Sequence, residues 1–98
     1  MTQICSLLLV SDRESQCQKH TIFHHSRGKI ISVKEYKNNI FVYYANDKYA
    51  DQEYRSEIYC FNTFDDQYMH YENRELKYLG TIIRPNELEY HYFTNNTH

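Results

Sequence analysis

Glycine and proline are nearly missing from this chain: two glycines and one proline stand among its 98 residues. That scarcity excludes a flexible linker or a low-complexity segment, because both lean on these residues. With only Gly28 and Gly80, no glycine-rich loop can cradle a phosphate. Long hydrophobic runs are missing too. Leu7-Leu8-Leu9-Val10 is far short of the roughly 18 apolar residues that span a bilayer. No positive residues precede it and no small-residue cleavage site follows, so it does not read as a signal peptide. Charge of one sign is also lacking, with 11 basic against 13 acidic side chains and a net charge of -2. Gripping duplex phosphates unaided calls for a basic chain, and imitating DNA calls for a far more acidic one, so both are disfavoured. Cys5, Cys17 and Cys60 are odd in number and widely spaced. They read as reduced thiols in a cytoplasm rather than a secreted disulfide framework.

What the chain does have is tyrosine. Eleven tyrosines and five phenylalanines must carry much of the burial. Residues 1–98 are expected to form a single domain, since two halves would each be too small to bury a useful core. The patterning predicts a mainly β fold, or α+β, as a single small antiparallel sheet of roughly five or six strands with at most a short helix. Strand candidates are Ile4 to Val10, a short edge strand within His20 to His25, and Lys29 to Tyr36, where Ile31 and Val33 alternate with Ser32 and Lys34. Lys37-Asn38-Asn39 is a turn, because asparagine takes positive φ cheaply. Ile40 to Ala45 is continuously apolar, as a strand buried on both faces would be. Tyr54 to Thr63 places Tyr54, Ile58 and Cys60 on one face, with Tyr59 and Phe61 on the other. Leu76 to Ile83 and Glu87 to Phe93 close the sheet around a turn at Arg84-Pro85-Asn86, where proline pre-sets φ. Asp65 to Glu75 reads as an ordered loop or one or two helical turns.

From His20 to Phe93 the order of features resembles a family of small uncharacterised bacteriophage proteins with a Gly-Thr-containing C-terminal β-hairpin. Gly28 opens the Ile30-Ile31-Ser32-Val33 strand, and Ile40 to Ala45 stands where the family has its apolar strand. Tyr78-Leu79-Gly80-Thr81 is similar to the family's aromatic-aliphatic-Gly-Thr signature, and Tyr90-His91-Tyr92-Phe93 to its closing pattern. Two departures stand out. Asn62-Thr63-Phe64-Asp65-Asp66 replaces a Gly-Thr-Gly-His element, and tyrosines replace tryptophan in the second hairpin strand. The resemblance implies a phage or mobile-element origin and a compact β-rich fold, and with the reduced thiols the expected place is the host cytoplasm. It implies no reaction.

Four groups of residues carry chemistry worth weighing. Cys17, His20, His24 and His25 have ligand chemistry, but zinc would want a helical setting and a fourth ligand. A solvated polar edge is the simpler reading. Asp65, Asp66, His70 and Glu72 could bind a metal or act as acid and base, yet they sit in a charged connection with no second motif converging on it. Glu89 and His91 share a strand face, as an exposed pair would. Cys60, among apolar neighbours, reads as a small buried hydrophobe. No catalytic residue, metal or cofactor is expected, and no membrane.

The tyrosines remain. They are too many to be central in so small a core, and tyrosine is enriched where proteins bind one another. It also simply suits strands. The leading expectation is a non-catalytic protein that binds and inhibits a larger host protein. Its most concrete version is an anti-CRISPR or other anti-defence inhibitor, which follows from the implied origin rather than from chemistry. The partner-binding residues would be Tyr49, Tyr54, Tyr68 and Tyr71 with Asp65, Asp66 and Glu72, in or beside the longest polar connections. Two alternatives stand beside it. One is a module that binds or sequesters a small nucleotide ligand. The other is a single-stranded nucleic-acid accessory that stacks bases on its tyrosines, against which the charge balance counts.

Overall fold

The structure is a computed structural model that describes residues 2–11, 19–25, 30–47, 52–71, 75–85 and 87–95. Seven strands appear: β1 (Thr2–Val10), β2 (Lys19–His24), β3 (Ile30–Tyr36), β4 (Asn39–Asp47), β5 (Tyr54–Asn62), β6 (Lys77–Ile83) and β7 (Glu89–Thr94). One 3₁₀ helix, Asp66–His70, stands between β5 and β6. The fold is mainly β, as expected, but it is not a single sheet. The strands divide into a three-stranded sheet in the order β1-β4-β3 and a four-stranded sheet in the order β2-β5-β7-β6. All the pairings are antiparallel. The physical reason is burial. A lone sheet of these strands would leave an apolar face in water, whereas two sheets cover each other. Val10, Ile30, Val33, Ile40 and Val42 of the smaller sheet share one core with Ile22, Ile58, Cys60, Ile82, Tyr90 and Tyr92 of the larger.

The β3–β4 hairpin matches its sequence. Tyr36 pairs with Asn39 across Lys37 and Asn38, whose φ values of 50° and 67° are the two positive values of a type I′ turn. The face of β3 differs from expectation. An extra residue at Ile31 shifts the register between Ile30 and Ser32. Ile30 and Val33 therefore face the core, while Ile31 is exposed. The second hairpin is longer than Arg84-Pro85-Asn86. Ile83 pairs with Glu89, and Arg84 N–H donates to the Leu88 carbonyl at 3.0 Å. Glu87 takes φ 67°, which breaks the strand expected to begin there and leaves Leu88 exposed. Asn86 lies outside the described residues.

β3 and β6 run along the seam between the sheets. Lys77 Nζ donates to the Ile30 carbonyl at 3.1 Å, and the buried Arg84 guanidinium donates to the Asn38 carbonyl at 2.6 Å. Gly80 sits between them at φ 155°, where a Cβ would lie 3.4 Å from Val33 Cγ2. At the other side of the core, His24 is buried rather than solvated. Its Nε2 bonds Ser56 Oγ at 2.7 Å, and its ring packs against Tyr44 and Tyr54. Position 24 pairs with Tyr54 on the inward face of β2, so the strand's own alternation buries it.

Candidate functional site

The outer face of the four-stranded sheet carries the most chemistry. Along β5, residues 59 and 61 point away from the shared core, as do 91 and 93 of β7 and 78 and 81 of β6. An outward Tyr59 and Phe61 would ordinarily be half-wet, yet both are buried. The chain after β5 returns to cover them. Asn62 to Asp65 forms a turn closed by Asp65 N–H donating to the Asn62 carbonyl at 3.0 Å. Asp65 then caps the 3₁₀ helix, its Oδ1 accepting from Gln67 N–H at 2.9 Å. The helix lays Tyr68 against Phe61 (ring centroids 5.4 Å, nearly edge-on) and Phe93 (5.2 Å). Tyr71 closes over Tyr59 (4.9 Å) and Phe61 (5.4 Å).

Beside these rings a hydrogen-bonded row runs across three elements. Thr63 Oγ1 donates to Glu89 Oε1 at 3.1 Å. The same oxygen is 2.6 Å from His91 Nε2, and His91 Nδ1 is 2.8 Å from Thr81 Oγ1. Tyr78 Oη meets Thr81 in turn. The carboxylate can only accept, so the one Thr63 proton goes to Glu89 and Nε2 must be the protonated nitrogen. Nδ1 on the other side of the ring meets the Thr81 hydroxyl. Glu89 and His91 do share a face, but Thr63 stands between them, and they are not a direct pair. An Nε2 that carries its proton cannot take one from Thr63, and a hydroxyl rather than a carboxylate stands behind the ring. The row fixes side chains in place.

An open recess of about 280 Å³ lies between this row and the rings. Phe61, Phe64, Tyr68 and Phe93 surround it, with Asn62, Thr63 and His91 supplying its polar wall. Phe64 is the anomaly. Its side chain is 102% exposed, and its backbone sits at φ 70°, in the left-handed region that costs a residue with a Cβ roughly 1–2 kcal/mol.

The expected binding residues divide. Asp65, Asp66, Tyr68 and Tyr71 come together here. Tyr54 does not: it lies at the far end of β5 on the inner face, stacked on His24, with its hydroxyl donating to Gln52 Oε1 at 3.2 Å. Tyr49 and Glu72 lie outside the described residues, as does Cys17. His20 and His24 stand on a strand rather than a helix, and no group of three or more His, Cys, Asp or Glu among the described residues is placed to hold a metal ion. Thr63, Phe64 and Phe93 also line the site, though none is among the binding residues expected from sequence. The available signal was a large apolar residue set among the polar residues of a turn. No helix among the described residues is long and apolar enough to cross a membrane. No family model, curated protein or solved structure matches this chain.

Proposed function

We propose that this chain is a non-catalytic binding protein that covers a surface of a larger protein with the aromatic end of its four-stranded sheet. The observation that carries this reading is Phe64. An aromatic ring wholly in water, on a backbone conformation that disfavours it, is two costs at one residue. Both are offset if the ring enters a partner's pocket, as interface anchors do. Asp65 and Asp66 follow Phe64 directly, and Glu89 is tied to Thr63. Carboxylates at that rim suit a basic partner and steer its approach. The anti-defence version, with a nucleic-acid channel of a defence nuclease as the basic partner, draws on this rim and on the resemblance to phage proteins. A recess of this size is at the small end of ligand pockets, so it fits a single side chain better than a whole nucleotide.

The test is affinity capture from host lysate with wild type, Phe64→Ala and Tyr68→Ala side by side, each checked for folding by circular dichroism. Wild type should retain a stoichiometric protein that Phe64→Ala loses, at a cost on the order of 2 kcal/mol or more in a direct titration. Folded variants that retain the same partner at full strength would move the interface elsewhere.

A further inference from the structure

We infer that the recess beside Phe64 takes a cationic side chain of the partner, and specifically an arginine. The inference rests on the binding reading above and names what enters the site. Phe61, Phe64, Tyr68 and Phe93 border the recess, and among the described residues no lysine or arginine lines it. The faces of aromatic rings are electron-rich, and a cation set over them is attracted most where water is thin. Formal negative charge stands at the same place. Glu89 reaches the recess wall through Thr63, and it has lone pairs left to accept with. Asp65 and Asp66 lie on the connection that carries Phe64 and Tyr68. Among the described residues the charged neighbours are therefore acidic, and the imidazole of His91 is held by the hydroxyls of Thr63 and Thr81.

Arginine fits better than lysine for two reasons. Its planar guanidinium stacks on a ring while its edge donates to carboxylate or amide oxygen, which a compact ammonium cannot do at once. The polar wall also offers a second acceptor. The Asn62 side-chain amide lines the recess and carries an oxygen able to accept. An apolar insert would leave that amide and the carboxylates without use. An anionic insert would meet Asp65, Asp66 and Glu89.

The probe is N-acetyl-arginine amide, titrated into the isotope-labelled full chain and followed by amide and ring NMR shifts. N-acetyl-lysine amide and N-acetyl-norleucine amide serve as controls. Shifts should gather at Asn62, Thr63, Phe64, Tyr68 and His91, with the arginine probe binding at least three-fold more tightly than either control. Glu89→Gln and Phe64→Ala should each weaken it several-fold. Asp66→Asn should weaken it less, because Asp66 is exposed and does not line the recess. Equal binding of norleucine and arginine, shifts scattered over the surface, or indifference to Glu89→Gln would each overturn the arginine inference. The capture experiment answers separately. A partner lost with Phe64→Ala but untouched by the arginine probe keeps the binding reading and removes this one.

Discussion

At the scale of single residues, Glu57 shows how the outer face is held. Its carboxylate sits below the usual range, chiefly because the Tyr59 hydroxyl donates to it, with Lys19 at 3.3 Å and the charge of Arg55 adding to the effect against the cost of burial. A carboxylate depressed in the folded state stabilises fully above its ordinary pKa, and that contribution is lost as pH falls through the lowered value. Glu57→Gln should therefore cost about 1 kcal/mol near neutrality and little at acid pH. Urea titrations at neutral pH and at about pH 3 check it, and curves separated equally at both values would contradict the assignment. Residues such as this are hard to read from sequence. Tyr59 and Glu57 are visibly on one strand face, but that their side chains meet depends on rotamers that no spacing reveals.

At the scale of elements, the two hairpins were legible and the faces only partly so. Lys37-Asn38-Asn39 marked its turn because asparagine tolerates positive φ, and alternation set Leu88, Tyr90 and Tyr92 on one face, of which Tyr90 and Tyr92 are buried and Leu88 is exposed. Ile31 misled, because one inserted residue reverses which side chains face inward and nothing local announces it. The bulge in β6 is of the same kind, with a register shift between Tyr78 and Gly80. Here the backbone does leave a mark, since Gly80 at φ 155° occupies a region other residues avoid. Gly80→Ala should destabilise the chain by about 1–3 kcal/mol through backbone strain, with the added methyl also pressing on Val33. Thermal unfolding would show this as a drop of several degrees. An unchanged midpoint would mean the seam between β3 and β6 yields easily.

At the scale of the whole molecule, alternation tells which side of a strand is dry but not which sheet the strand joins. That is why roughly five or six strands in one sheet were expected where seven described strands divide into two. Division into two sheets gives the larger one an outer face free for other uses, and the 3₁₀ helix covers part of it with Tyr68 and Tyr71. The tyrosine excess pointed to tyrosines at the surface, not to two of them packed over Tyr59, Phe61 and Phe93. It did not foresee Phe64, whose importance lies in a dihedral angle. The same angle sets two demands on the molecule against each other. Glycine at position 64 would relax the positive-φ backbone, so Phe64→Gly should raise the unfolding free energy by up to about 1 kcal/mol while abolishing capture of the partner. Calorimetry and binding measured on one preparation would show the two properties moving in opposite directions. Selection for endurance alone, acting on random variants of this chain, would then drift towards glycine at position 64 and yield a sturdier protein that no longer holds anything.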